Sequence, residues 1–221
     1  QTFLTTFKGT GEKPALLLKT SSATFSVSDR EGMLKKINSI KQALNIPTKS
    51  LPSIYLLHGD LQPEEMNALY NHSKVKAMVS FTHGEGYGRP LLEFSVTGKP
   101  VFATNWSGHL DFLGNYTFKL PCKLAPVHDS ALQENIIEKG ANWAFVNYGY
   151  ASKYLKECYK KYKAFVTTSR KQRKFVKENF TLKHMDEQFV EIINENVAQK
   201  VNIALPKLKL PKLKKMEKVN E

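Results

Sequence analysis

Cysteine is scarce in this chain, with only Cys122 and Cys158 among 221 residues. The two are far apart and form no Cys-x-x-Cys pair or Cys/His cluster, which argues against a disulfide framework and a structural zinc site. Long hydrophobic runs are also missing. No stretch reaches the roughly 18 apolar residues of a membrane-spanning helix, and no basic segment followed by an apolar one marks a signal peptide. The expected compartment is therefore the cytoplasm. An initiator Met is absent too, since the sequence opens on Gln1, as expected of a fragment or a processed product. Acidic residues are in short supply: 20 Asp and Glu face 33 Lys and Arg, for a net charge of +13. Such a field attracts anionic partners. The basic residues are not interleaved with aromatics as in a nucleic-acid-binding module, so nucleic acid is not the expected partner. A nucleotide diphosphate or an anionic membrane surface would use the same field.

What is present is enough for one core, because 41% of the residues are hydrophobic and the length suits a single domain with appendages. Thr2 to Phe7 reads as the end of an amphipathic helix. Strands are predicted at Pro14 to Lys19, Ile54 to Leu57, Ala77 to Phe81 and Lys99 to Thr104, with a short one near Tyr116 to Leu120. Between the first two, Ser21 to Asp29 reads as loop, and Leu34, Ile37, Ile40 and Leu44 recur at helical spacing before Pro47. A second helix spans Pro63 to His72, its Pro and its acidic residues placed at the positive end. Strands separated by helices need crossover connections, which predicts an α/β fold: a doubly wound, Rossmann-like parallel sheet with helices on both faces.

The last third reads as helical. Val146, Tyr150, Tyr154, Cys158, Tyr162 and Phe165 keep helical spacing along one face, and Ser169 to Asn179 and His184 to Asn194 form two more helices. Near residue 196 the composition shifts to LPKLKLPKLKK. Residues 1–195 are therefore read as the folded domain and 196–221 as a flexible basic tail able to dock on an anionic membrane surface or a partner.

The stretch that carries chemistry is VSFTHGEGYGRPLLEFSVTG, Val79 to Gly98. An apolar strand runs into a loop containing Gly84, Gly86 and Gly88, and a helix starts at about Pro90. Glycines let backbone N–H groups approach a ligand closely, and a loop at the carboxyl end of a parallel strand is where such sheets bind ligands. Glu85 and Glu93 flank the junction with seven residues between them. A carboxylate accepts two hydrogen bonds and suits the vicinal hydroxyls of a sugar or ribose. One at each end of a loop fit for a diphosphate describes a nucleotide sugar. The same two residues would otherwise be an ordinary loop glutamate and a partner of the helix dipole.

EGYGRPLLE, followed by the Gly98-Lys99-Pro100 turn and ATNWSGHLDFL, resembles the donor-binding signature of retaining glycosyltransferases of the GT-B fold, in particular the family 4 type. The likeness runs from about Pro14 to Ile193 and is specific in the central forty or so residues. It implies that Glu85 contacts a donor-sugar hydroxyl and acts in catalysis. It further implies that Gly86, Tyr87 and Gly88 line the sugar and phosphate, that the amides of Leu91 and Leu92 face the diphosphate, and that Glu93 binds the ribose diol. Gly59 and Leu61 would lie beside the nucleobase. Arg89 and Lys19 are candidates for stabilising leaving-group charge, and His83, next but one to Glu85, is a further candidate contact. No metal and no cofactor are implied, and the sequence has no Asp-x-Asp motif. The resemblance implies a hexosyltransferase-type enzyme whose acceptor is held by an N-terminal domain that these residues lack, so the isolated chain is expected to be inactive. Two alternatives stay open: a catalytically inactive binding or structural module in a larger assembly, and a nucleotide-sugar epimerase-like domain.

Overall fold

A computed structural model describes residues 1–9, 14–20 and 29–197. The chain divides into a unit Gln1–Thr181 and a unit Leu182–Glu221. Most of the loop expected at Ser21 to Asp29, and the tail beyond Val197, lie outside the described residues.

The first unit opens with α1 (Thr2–Thr6), β1 (Leu16–Thr20), α2 (Asp29–Ala43), β2 (Ile54–His58) and α3 (Pro63–Asn71). Then come β3 (Met78–Ser80), α4 (Arg89–Ser95), β4 (Val101–Thr104) and β5 (Phe118–Leu120). It closes with β6 (Cys122–Pro126), β7 (Asn142–Val146), α5 (Tyr148–Lys160) and α6 (Tyr162–Asn179). All three ladders among β1 to β5 are parallel: β1 pairs with β2, and β4 lies between β3 and β5. The parallel α/β architecture expected from alternating strands and helices is present.

β4 explains how the layers meet. All four of its residues are buried, and a strand with helices on both faces must be apolar throughout rather than alternating. Phe102 points into a cluster with Phe7, Leu120, Ala151, Leu155 and Cys158. Val101 and Ala103, on the other face by the period-two rule, join Leu91 and Phe94 of α4 with Phe112, Leu113 and Val176. Full burial of each large side chain contributes about 1.5–3 kcal/mol. The α3 helix is started by a capping box in which Glu65 accepts from the Gln62 N–H at 2.8 Å. Its C-terminus is fastened from outside: Lys99 Nζ donates to the carbonyls of Tyr70 (2.6 Å) and His72 (2.8 Å), and burial with the nearby charge of Lys76 lowers the Lys99 pKa.

One expectation needs correction. Val146 does not belong to a helical face; it ends β7, which pairs antiparallel with β6 from Cys122 opposite Val146 to Pro126 opposite Asn142. The helix begins only after Asn147, whose side-chain carbonyl accepts from Tyr150 N–H at 2.9 Å. The aromatic run is also split between α5 and α6 at Lys161.

In the second unit, α7 spans Leu182–Asn196. Among the described residues no helix is long and apolar enough to cross a membrane.

Candidate functional site

The glycine loop leaves the C-terminal end of β3 and enters α4 at Arg89. Gly88, the residue before that helix, has φ +83, and a Cβ there would lie 2.9 Å from the Cβ of His109. Both conditions favour glycine. The loop is held by the segment that follows β4, the neighbouring strand. Glu85 N–H donates to Ser107 Oγ (2.7 Å), and Gly108 N–H donates to the Glu85 carbonyl (3.1 Å). A Cβ on Gly108 would come within 1.9 Å of the Gly86 carbonyl oxygen, closer than nonbonded atoms pack. His109, fully buried beneath, donates from Nε2 to the Thr104 carbonyl at 2.6 Å. Two loops from adjacent parallel strands are thus locked into one piece at the carboxyl edge of the sheet, the place where such sheets bind ligands.

The two carboxylates have different surroundings. Glu85 is half-buried, and its carboxylate has no hydrogen bond or ion pair among the described residues. Glu93 is exposed and accepts from Arg89 Nε at 2.9 Å one turn away along α4. Both side chains of that pair are open to solvent, so it contributes only a few tenths of a kcal/mol. A ligand hydroxyl can therefore compete for Glu93. Tyr70 stands close by, its pKa raised by burial first and by the charge of Glu93 second, with Arg89 opposing. Tyr87 packs its ring 5.2 Å from that of Phe112, and burial and then Asp111 raise its pKa.

Other site candidates from the sequence take varied positions. Leu91 N–H and Leu92 N–H donate to the Gly88 carbonyl at 2.9 and 3.3 Å, so these amides are engaged within the helix start instead of being open toward a diphosphate. Between Glu85 and Pro90, the amides of Gly86, Tyr87, Gly88 and Arg89 have no hydrogen bond among the described residues. His83 donates from Nδ1 to the Ala144 carbonyl (2.8 Å), accepts the Ala144 N–H on its own carbonyl (3.3 Å) and stacks on Trp143 at 4.4 Å. It anchors the loop to β7. Lys19 is exposed on β1 opposite Leu57, while Gly59, at φ +128, and Leu61 follow β2. Among the described residues no strand pairing joins that ladder to β3. Residues 83–93 thus form one constellation, and Lys19, Gly59 and Leu61 belong to another ladder. Sequence reasoning assigned no role to Ser107 and Gly108. Their signal was a Ser-Gly pair just past a buried strand, beside the strand that carries the glycine loop.

No family model matches the sequence, and no curated protein matches it. Solved structures do. A glycosyltransferase from Rickettsia africae ESF-5 superimposes with a TM-score of 0.56 at 15% identity, over 84% of this chain and 48% of that one. The fold is GT-B glycosyltransferase-like. Sucrose-phosphate synthase from Thermosynechococcus elongatus gives 0.54 at 15% identity over 81% of this chain and 38% of its own. Anabaena HepE in complex with UDP and glucose gives 0.55 at 12% over 81% and 40%. The chain spans less than half the length of those structures.

Proposed function

We propose that the chain is the donor-binding part of a retaining glycosyltransferase of family 4 type, binding a nucleotide-diphosphate sugar through residues 83–93. The observation that carries this reading is a glycine loop with a carboxylate at Glu85 unpaired among the described residues and a weakly paired one at Glu93, locked to Ser107 and Gly108 at the end of a parallel sheet. Support also comes from the likeness to structures such as HepE, which was solved with UDP and with UDP-glucose.

In this reading the open amides of Gly86 to Arg89 and the Arg89 guanidinium face the diphosphate. Donors aimed at developing leaving-group charge stabilise it without a metal. Glu93 exchanges Arg89 for the ribose diol, and Glu85 takes a sugar hydroxyl. Lys19, Gly59 and Leu61 contribute only where the β1–β2 ladder approaches the base. The acceptor comes from a domain outside these residues, so the chain alone binds without transferring. Calorimetric titration of this chain with UDP, GDP and their glucose and mannose sugars, in EDTA and then in Mg²⁺, tests the reading. Binding in EDTA is expected. Glu93→Ala should weaken every nucleotide about tenfold or more, consistent with losing a charged hydrogen-bond acceptor, and Glu85→Ala should weaken only the sugar-bearing ones. Unchanged affinity in both variants would remove the assignment.

A further inference from the structure

Within its own unit, α7 is an amphipathic helix with an apolar side left open. Leu182 is 78% exposed, Phe189 66% and Ile192 57%, with Met185 and Val190 also open. Leu182, Met185, Phe189 and Ile192 recur at three- and four-residue spacing, so they share one side of the helix. Glu187 and Glu191 fall on the opposite side, where Lys183 pairs with Glu187 at 3.7 Å. The sequence that continues past the helix, residues 198–221, carries seven Lys against two Glu, with Leu alternating among the lysines. In the other unit, α5 and α6 with Lys161 between them carry ten exposed Lys and Arg against two Glu. Those two glutamates are spent on neighbouring lysines, Glu157 on Lys161 and Glu178 on Lys174.

From this pairing of an open apolar helix face with an adjoining basic segment, we propose that an anionic lipid bilayer covers α7: the helix lies in the headgroup boundary, and the lysines of 198–221 hold the acidic headgroups. An interfacial helix is distinguished by a polar face and low overall hydrophobicity, and it needs a second signal for stable attachment. Here that signal is a polybasic stretch, which anionic leaflets attract strongly. Charge alone would serve a nucleic acid equally well, but exposed Leu182, Phe189 and Ile192 have no counterpart on a phosphate backbone. The face gives a bilayer apolar area to bury, and the acidic side of α7 stays toward water.

The test is flotation of the full 221-residue chain with vesicles of phosphatidylcholine alone or with about one-third phosphatidylserine. Retention on the serine-containing vesicles only, weakened by salt, is expected. The double variant Phe189→Ser, Ile192→Ser changes exposed positions and should lower partitioning about tenfold or more. Replacing Lys207, Lys209, Lys212 and Lys214 by Gln should do the same. Three outcomes overturn the proposal: equal binding to neutral vesicles, loss with the lysine variant but not the apolar one, or no vesicle binding together with a concentration-dependent dimer that the apolar variant abolishes.

Discussion

Every residue of β4 is buried, whereas no residue of β1, α2 or β2 is. β4 has a strand on each side and a helix cluster on each face. The β1–β2 ladder leaves Tyr55 60% and Leu17 40% exposed, and Ile40 of α2 is 41% exposed. A strand's contribution to stability follows what covers it, not its pairing alone. The carboxylate loop stands on the covered half, while Lys19, Gly59 and Leu61 stand on the open one. In the proposed reading, a ligand on residues 83–93 would meet a surface backed by a packed core.

The sharpest way to break this contrast is to empty each half. Phe102→Ala should cost about 3–5 kcal/mol, the usual range for a fully buried aromatic, while Ile37→Ala on α2 should cost about 1 kcal/mol or less. Urea denaturation reads both, and equal losses would end the distinction. Next in size is Gly108→Ala, where the new Cβ meets the Gly86 carbonyl and the overpacking should cost about 1–3 kcal/mol and displace the glycine loop. By contrast, Gly59→Ala meets nothing within 4 Å and should cost about 1 kcal/mol from its positive φ alone; thermal melts of the two variants compare them. Ser107→Ala removes the acceptor for Glu85 N–H and should cost about 0.5–1.5 kcal/mol, with faster exchange of that one amide by NMR.

The smallest effect is a pH slope. Burial pushes the Cys158 thiol from 9.0 up to about 12. A raised acid pKa means the folded state keeps a proton that the unfolded state loses, so this contribution is full below about pH 9 and declines as pH rises from there toward 12. Stability measured at pH 8 and at pH 9.5 should fall, and Cys158→Ala should flatten the slope. An unchanged slope in the variant would show that the thiol stays protonated in both states over that range.

These regions also differ in how far sequence disclosed them. The strands β1 to β5 announced themselves as short apolar runs bounded by turn residues, and the parallel arrangement followed from the helices between them. β6 and β7 did not, because Val146 happens to fall in helical register with Tyr150 and Tyr154, and nothing local says that the Trp143 to Val146 run pairs with Cys122 to Pro126. At the site, the glutamate spacing and the glycines were legible. The engagement of the Leu91 and Leu92 amides was not: it depends on where the helix starts, with Gly88 as the residue whose carbonyl accepts the first helical bonds. The hold of Ser107 and Gly108 on the loop depends on strand register, Met78 opposite Val101 and Phe102 opposite Phe118. Register is a tertiary fact. The anchoring of His83 by Ala144 and Trp143 is likewise tertiary.

The locked pair of loops has a consequence in time. Surface loops ordinarily fluctuate on nanosecond to microsecond scales, but the amides of Glu85 and Gly108 are bonded across two strands, and no side chain fits between Gly108 and Gly86. Opening the crossed segments means breaking both of these hydrogen bonds together, a cooperative local event. Between them, the Gly86 and Tyr87 amides have no hydrogen bond among the described residues, while the Tyr87 ring packs on Phe112. In the proposed reading, an arriving anion meets a bonded frame and takes up donors that no other bond holds.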